Sequence, residues 1–429
     1  LLVGLYGGTM PEEQFSLAVT FAYWCLPQVF FYGLYALLGE VLNAHKLFGP
    51  FTWAPVFNNV VAIAGLLVFG AIFGADPTGD RSVTSWSGPM VAVLAGSATL
   101  GIAAQALVLF LFWKRAGLRY RPDFGWTGIG LGETAKMAGW TLAMIGATLV
   151  AGIVQSNVTM LASGSGPSTA ALQYAWLIFM LPHSVVAVSI ATAYFTRMSE
   201  HAVARQIGRL TADVASAVRQ ITLLIVLAAA VIVVCSVPIA SLFTETYLHA
   251  WLLTYPLIAY VAGLVPFVIL FVLQRAFYAL GDTRTPFVFT AVQVVVFSAL
   301  ALLSSNFPEQ LIGIAVAASI SIAGTVQMAL AYVLLRRKIG PLGVRPVLVS
   351  LTSYVLAAIP ATGTGMAVGL LVGAYVPGGF ALDNAGTAIV SMLLMGGVMA
   401  VVYVVVLALM RSPELGAAVG PILRRLRRR

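Results

Sequence analysis

The feature that most constrains this chain is a series of long stretches that contain no charged residue. Ten such windows cover 14–39, 49–75, 83–113, 137–195, 220–244, 246–274, 285–308, 310–335, 346–382 and 384–410. An apolar segment of about 20 residues crosses the hydrocarbon core of a bilayer as a helix, because a helix satisfies its own backbone hydrogen bonds there. The pattern predicts an all-α, polytopic helical membrane protein. Only 9% of the 429 residues are charged, which excludes an ordinary soluble domain, where the fraction is about 25%.

The lengths of the windows predict eleven transmembrane helices. The window 137–195 is too long for one helix, and the sequence SGSGPS at 163–168 marks a turn within it, so it holds two spans. The window 346–382 is too short to cross twice and holds one span followed by the turn VPGG at 376–379. Each remaining window holds one span.

The basic residues predict how the spans are oriented. When the loops are numbered alternately, 22 of the 23 Lys and Arg residues fall on one set, and only Arg81 falls on the other. The positive-inside rule makes the first set cytoplasmic, which predicts a cytoplasmic C-terminus and an outside start. The first residues, LLVGLYGG, contain no initiator Met and no signal peptide, so we expect an N-terminally truncated chain. If the whole protein starts in the cytoplasm, the missing part contains an odd number of spans.

Two segments are basic without being transmembrane. Apolar residues at helical spacing within 196–219 alternate with arginines, which predicts an interfacial helix over about 197–217. The tail at 412–429 ends in PILRRLRRR, which is typical of a segment held by anionic lipid. Because the basic residues form short clusters between apolar runs, the net charge of +9 does not indicate a nucleic-acid partner.

No combination of residues in the sequence is typical of an enzyme. The four histidines lie far apart in the chain, and the carboxylates predicted to be cytoplasmic are scattered over six loops. Lipid-linked glycosyl or phosphoryl chemistry needs paired carboxylates or a His and Arg cluster at one interface. Cys25 and Cys235 both fall inside apolar runs, which argues against a disulfide framework or a zinc site. We therefore expect no catalytic residues, no metal and no cofactor.

Prolines and glycines inside the spans indicate kinks and close packing. Pro27, Pro55, Pro182, Pro256 and Pro266 each remove a backbone hydrogen bond, which suits either ordinary packing bends or a protein that opens alternately to two sides. A GxxxGxxxG pattern, formed by Gly365, Gly369 and Gly373, predicts one ridge on the span at 347–375. Such a ridge packs against a neighbouring helix or forms a smooth groove for a lipid chain.

Polar side chains at membrane depth are the candidates for a binding cavity. Buried amides in membranes bond to a neighbouring helix or line a cavity. His183 follows Pro182 and is the only ionisable residue well inside a span, which makes it the first choice. The full set of substrate-binding candidates is His183, Gln173, Asn157, Gln155, Asn59, Gln28 and Arg275, chosen from a wider group that includes Asn58, Gln105, Gln293 and Gln327.

Three motifs resemble a known family. They are FYGLYALLGEVLNAHKLFGPFTWAPVFNN at 31–59, LPHSVVAVSIATAYFTRMSE at 181–200 and AFYALGDTRTP at 276–286. Their order and spacing resemble the MurJ/MviN family of lipid II flippases, in the multidrug/oligosaccharidyl-lipid/polysaccharide exporter superfamily. The resemblance implies a bacterial cytoplasmic (inner) membrane protein whose fourteen helices form two lobes.

The resemblance also implies a division of the chain. Residues 1–12 would be the end of a truncated helix and an outer loop, 13–113 three spans of the N-lobe, and 134–336 the six spans of the C-lobe. Residues 346–411 would be two C-terminal spans forming a groove for the lipid tail, with Gly365, Gly369 and Gly373 in it. The basic tail at 412–429 would be cytoplasmic.

Two positions depart from the family pattern. Members often carry an Asp-Arg pair in the eighth span after a Tyr-Ala, whereas Tyr174-Ala175 is followed here by Trp176-Leu177. Some members bind sodium through intramembrane carboxylates of the C-lobe, and no Asp or Glu lies inside a C-lobe span of this sequence.

The resemblance implies transport of lipid II, the undecaprenyl-linked peptidoglycan precursor, to the outer leaflet by alternating access. The partners implied are lipid II, membrane lipids and cell-wall assembly proteins. Two alternatives stay open. One is export of another polyprenyl-linked glycan or of an amphiphilic drug, and the other is a non-transporting scaffold for cell-wall assembly.

Overall fold

The structure is a computed structural model that describes residues 2–7, 10–45, 47–76, 81–113, 117, 131–161, 167, 169–244 and 246–416. Helices dominate these residues, and no strand occurs among them, which confirms the all-α prediction. Several predicted features lie outside the described residues, namely most of the SGSGPS turn, the basic residues between 114 and 121 and the tail from 417 onward.

Sixteen α-helices follow one another along the chain. They are α1 (Leu2–Tyr6), α2 (Glu12–Cys25), α3 (Pro27–Ala44), α4 (Phe48–Phe73), α5 (Gly88–Leu107), α6 (Leu131–Met160), α7 (Thr169–Pro182), α8 (Val188–Val203), α9 (Ile207–Val234), α10 (Ser236–Ser241), α11 (Tyr247–Val261), α12 (Leu264–Ala279), α13 (Arg284–Ser304), α14 (Glu309–Ile339), α15 (Val344–Leu371) and α16 (Ala385–Leu409).

The predicted number of spans is confirmed. Ten helical segments among the described residues are long and apolar enough to cross a bilayer. Helices α11 and α12 form one further span that is bent by 43° at its middle, which gives eleven. Two of the ten segments are also interrupted, because α2 continues into α3 at Pro27 and α7 continues into α8 through a π-turn at His183–Ala187.

The chain divides into two compact units, and the first covers Leu1–Ile129. In this unit α5 packs against α2, α3 and α4. Leu38, Leu42, Ala54 and Leu109 form its buried core. An added Cβ at Gly101 would lie 3.0 Å from the backbone oxygen of Asn58, so α4 and α5 approach closely only because this position has no side chain.

The second unit covers Gly130–Arg429 and contains α6 to α16. Its largest core includes buried residues from α7, α8, α9, α11, α12 and α14, among them Tyr260 and Phe277. A second core joins α9, α15 and α16 around Tyr354 and Tyr403. A third joins α6, α13 and α14.

The amphipathic stretch at 197–217 is not one separate helix, which corrects the prediction of an interfacial helix there. The stretch belongs partly to the end of α8 and partly to the start of α9, with a turn between them. Asp213 explains this arrangement, because its buried carboxylate accepts from Arg197 at 2.6 Å and from His201 at 2.7 Å. These contacts hold α8 and α9 together as a hairpin.

The glycine ridge on α15 is a packing seam and is shorter than predicted. Gly365 lies against Met399 of α16, and an added Cβ at Gly369 would lie 2.9 Å from Met395 Cε. Gly373 is not on this helix, because α15 ends at Leu371 and Gly373 has a φ of +67° in the turn that follows. Met399 and Met395 occupy the space beside Gly365 and Gly369. The predicted open groove for a lipid tail therefore does not lie on these glycines.

Candidate functional site

A cavity of about 380 Å³ lies among six helices of the second unit. Its walls combine amide, hydroxyl and aromatic side chains at membrane depth. The lining residues are Met144, Ile145 and Thr148 of α6, Trp176 and Phe179 of α7, Tyr260 of α11, Gly263, Phe267, Leu270 and Gln274 at or in α12, Thr290 and Gln293 of α13, and Ile320, Ser321, Gly324 and Gln327 of α14.

The bend between α11 and α12 forms one wall of this cavity. The backbone N–H of Gly263 donates to Tyr260 O instead of continuing the helical pattern to Ala259 O. The hydroxyl of Ser321 donates to the freed Ala259 O at 2.6 Å. A broken helix is tolerated at membrane depth when a neighbouring helix satisfies the freed backbone group in this way. Ser321 of α14 therefore stabilises the bend by direct contact.

Three glutamine amides project from different helices into the cavity. Gln327 donates to the hydroxyl of Thr290 at 3.1 Å, which joins α14 to α13. Gln274 donates to the hydroxyl of Tyr278 at 2.8 Å. Gln293 lines the cavity and makes no hydrogen bond to another described residue. Its amide therefore keeps both its donors and its acceptor available to a ligand or to water.

Aromatic rings form another part of the cavity lining. The rings of Trp176 and Phe179 are stacked with centroids 4.9 Å apart. The edge of Tyr260 meets Trp176 with a centroid distance of 5.6 Å, and Phe267 meets Phe179 at 5.3 Å. Contacts at these distances fix the orientation of the rings.

No ionisable group other than the Tyr260 phenol lines the cavity among the described residues. The nearest cation in sequence is Arg275, which follows Gln274. Its guanidinium lies over the rings of Phe271 and Phe195, at 4.8 and 5.4 Å from their centroids. No group of three His, Cys, Asp or Glu side chains in the described part of the chain converges on a point where a metal ion could bind.

His183 does not line the cavity. It is buried in the π-turn between α7 and α8, and its ring meets Phe267 and Phe271 edge-on at 4.8 Å. Its Nδ1 atom is buried without a hydrogen-bond partner. Phe267 lies between this ring and the cavity, so His183 supports the aromatic wall from behind.

The other predicted site residues are distributed over both units. Gln155 lies near the hydroxyl of Tyr260 but does not itself line the cavity. The side chain of Asn157 donates to Ile153 O of its own helix, and Gln173 is exposed on α7. In the first unit Gln28 donates to Thr99 at 2.9 Å, and Asn59 is exposed on α4.

The cavity is lined by polar residues that the sequence analysis did not select as substrate-binding candidates. Gln293 and Gln327 belong to the wider group of polar residues at membrane depth, and Gln274 stands at the end of an uncharged window. The signal that distinguishes them is their position on consecutive spans. Thr148, Thr290 and Ser321 have no such signal, because hydroxyl residues are common throughout the apolar windows.

The motif AFYALGDTRTP forms the connection between α12 and α13. Gly281 adopts a φ of +70° after α12, a conformation that favours glycine. Asp282 accepts hydrogen bonds from the backbone N–H and the hydroxyl of Thr285 in the first turn of α13. Lys338 at the end of α14 donates to the same carboxylate. Burial alone would raise the pKa of Asp282, but these hydrogen bonds outweigh burial and place the pKa below its ordinary value.

The first unit has a cleft of about 550 Å³ at the start of α2. It is lined by the exposed carboxylates of Glu12 and Glu13, by hydroxyl residues of α2 and by Trp86. None of the predicted site residues lines this cleft.

Comparison with known proteins identifies the family. The family described as "Lipid II flippase MurJ" matches residues 1–386 of the chain. The chain belongs to the MurJ family. This membership and the eleven apolar spans make it a multi-pass protein of the bacterial cytoplasmic membrane.

Relatives with curated names support the assignment. The protein from Rhizobium tropici named "Probable lipid II flippase MurJ" is 30% identical over 303 residues, which is 68% of this chain and 53% of the relative. The protein of the same name from Rickettsia prowazekii is 27% identical over 324 residues, which is 72% of this chain and 58% of the relative. The chain thus spans a little over half the length of these relatives.

A solved structure of a MurJ family member shares the fold. The structure described as "Lipid II flippase MurJ, inward closed conformation" matches 95% of this chain and 77% of its own chain with a TM-score of 0.69 and 19% sequence identity. At this identity the match supports the fold of the described helices and leaves the chemistry of individual side chains to this chain's own geometry.

Proposed function

We propose that the protein moves lipid II, a lipid-linked peptidoglycan precursor, across the cytoplasmic membrane by alternating access. The observation that carries this proposal is an uncharged polar cavity in the second unit of a chain that has eleven apolar spans and belongs to the MurJ family. The head group of such a lipid cannot cross hydrocarbon unaided, because an isolated charge there costs tens of kcal/mol by Born estimates. A polar cavity lowers the cost for the uncharged polar groups of the head group, because its amides and hydroxyls replace their hydrogen bonds to water.

The bent helices suit a protein that changes which side it opens to. The break between α11 and α12, the π-turn between α7 and α8 and the interruption at Pro27 all lie inside spans. Helix kinks and π-turns occur at sites of movement and function in membrane proteins. The conformational change we propose uses these points, with lipid II entering from the cytoplasmic leaflet and leaving toward the outer leaflet.

The positions of the basic residues and the family membership support the further parts of the proposal. The helix ends that carry Arg275, Arg284 and Arg336 are cytoplasmic, and so is the C-terminus. The protein acts as a transporter and not as an enzyme, and its partners are lipid II, membrane lipids and cell-wall assembly proteins. Arg275 contacts the anionic part of the substrate, since no carboxylate pairs with its guanidinium among the described residues.

A second candidate function is export of a different polyprenyl-linked glycan. Trp176 and Leu177 follow Tyr174-Ala175, where many MurJ family members have an Asp-Arg pair. Leu177 therefore stands at the position of the arginine that could contact the diphosphate, and the indole ring of Trp176 in the cavity wall stands at the position of the aspartate. This change favours a substrate whose recognition depends more on sugars than on phosphate.

The test uses the full-length gene in cells depleted of their own lipid II flippase. We expect it to restore growth and to restore the accessibility of lipid II head groups to a reagent acting from outside. A variant with Gly324→Trp, which fills the cavity, should fail while still reaching the membrane. Growth without any change in outward accessibility would contradict the proposal and favour a scaffold, and rescue of a different glycan pathway would favour the second candidate.

A further inference from the structure

The cavity of the second unit has two walls of different chemistry, and each wall limits what can bind there. One wall carries the amides of Gln274, Gln293 and Gln327, and the other carries Trp176 with its stacked partner Phe179. Ligand pockets of about 300–1,000 Å³ combine an apolar surface with a few placed polar groups in this way. A volume of about 380 Å³ falls at the small end of that range.

The amide wall has unused hydrogen-bonding capacity. Gln293 has no partner among the described residues, and Gln327 and Gln274 each use an N–H on a hydroxyl that belongs to the protein. Amides both donate and accept, so they match ligands that also do both, such as hydroxyl and acetamido groups. Buried polar groups left without such a partner disfavour an apolar ligand.

The aromatic wall offers a flat apolar surface beside these amides. Trp176 and Phe179 are stacked, and Tyr260 and Phe267 fix them from the sides. A pyranose ring has an apolar C–H face and a polar rim of hydroxyl groups. Its C–H face fits an aromatic surface, while its rim of hydroxyl groups can bond to amides that line the same cavity.

The lack of charged side chains in the described lining of the cavity disfavours binding of the other parts of a lipid-linked substrate. No Lys, Arg, Asp or Glu lines it among the residues that the structure describes. A phosphate group placed there would be desolvated without a cation to pair with, and a polyprenyl tail would leave the amides unsatisfied. An uncharged sugar meets neither penalty.

We propose that this cavity binds an uncharged, amide-bearing sugar ring of the transported head group. The proposal rests on the proposed function and adds which part of the substrate the second unit holds. Gln293 donates to and accepts from the acetamido group, and Trp176 packs against the ring. The diphosphate lies outside this cavity.

The test measures the binding of two uncharged disaccharides to the purified full-length protein by calorimetry. N,N′-diacetylchitobiose carries acetamido groups, and cellobiose has the same rings without them. We expect the first to bind about tenfold more tightly than the second, the factor that corresponds to one additional hydrogen bond. Gln293→Leu should lower the affinity for N,N′-diacetylchitobiose about tenfold and leave that for cellobiose unchanged.

The control is Gln310→Leu, which changes an exposed amide near the start of α14, away from the cavity. It should leave both affinities unchanged. If Gln293→Leu does not yield folded protein, Gln293→Ala is measured instead, and Trp176→Leu should weaken the binding of both sugars. Equal affinities for the two sugars, no sugar binding, or binding that is unaffected by these changes would overturn the proposal.

The outcome of the sugar-binding experiment can be distinguished from the outcome of the transport experiment. Normal transport of lipid II by a protein that binds neither sugar removes the sugar site alone. Selective sugar binding by a protein that fails to transport lipid II removes the proposed function and leaves the sugar site in place.

Discussion

At the scale of single residues, polar side chains at membrane depth have different roles that depend on their neighbours. Ser321 satisfies the backbone oxygen of Ala259 at the bend, whereas Gln293 lines the cavity and has no hydrogen-bond partner among the residues that the structure describes. His183 is enclosed by Phe267 and Phe271. An amide or imidazole in a span therefore indicates a site only when its neighbours leave its polar atoms available.

His183→Leu tests whether the imidazole has a polar role. Because Nδ1 is buried without a partner, replacement by an apolar side chain of similar volume removes a desolvation cost. We expect the free energy of unfolding to change by no more than about 1 kcal/mol and transport to be retained. The measurement is thermal unfolding in detergent together with rescue of depleted cells. Loss of transport with unchanged stability would show that His183 acts on the substrate.

Asp282→Asn tests the connection between α12 and α13. The folded state lowers the pKa of Asp282, so its carboxylate contributes stability above the ordinary pKa of about 3.9, and this contribution disappears as pH falls through the lower folded value. We expect the variant to be about 1 kcal/mol less stable near neutral pH, because the Lys338 pair is lost. The difference from the unsubstituted protein should vanish in acid. A difference that stays constant from neutral to acidic pH would contradict this role.

At the scale of helices, breaks and close contacts set the shape of the second unit. The bend of α11 and α12 is stabilised from α14, and the seam of α15 and α16 depends on glycines that leave room for methionines. The end of α16 is held as well, because Glu414 accepts from Ser350 of α15 at 2.9 Å and lies 3.6 Å from Arg219 of α9. Small residues at one face of a helix therefore decide which helix becomes its neighbour.

Gly365→Val tests the seam. The added side chain would occupy the position of Met399, so we expect a loss of about 1–3 kcal/mol, the usual cost of overpacking. The control is Gly363→Val on the same helix, where an added Cβ meets nothing within 4 Å and the residue is exposed. The double variant Gly365→Val with Met399→Ala should recover much of the stability. Equal unfolding temperatures for the Gly363 and Gly365 variants would argue against a seam.

At the scale of the whole molecule, the distribution of charge predicts how the spans are oriented in the membrane. Arg336, Arg337 and Lys338 end α14, and Arg411 follows α16. The loop between α15 and α16 has no basic residue and one acidic residue, Asp383. Basic loops stay on the cytoplasmic side during insertion.

Reporter insertions in the full-length protein test this orientation. A phosphatase that is active only outside the cytoplasm should be inactive after Gly340 and after Gly416 and active after Gly378. A fluorescent protein that matures only in the cytoplasm should give the opposite pattern. Phosphatase activity after Gly340 would reverse the predicted topology and with it the proposed direction of transport.

The sequence by itself determined the class of fold, the number of spans and their approximate limits. These follow from a local rule, since each span must be apolar and must satisfy its own backbone in hydrocarbon. Only the tertiary structure decided that Gln293 lines a cavity and that His183 lies behind Phe267. It also decided that methionines occupy the space beside Gly365 and Gly369. Spans that are apolar all round have no polar face to indicate their rotation, so which side chains meet depends on neighbouring helices that are distant in the sequence.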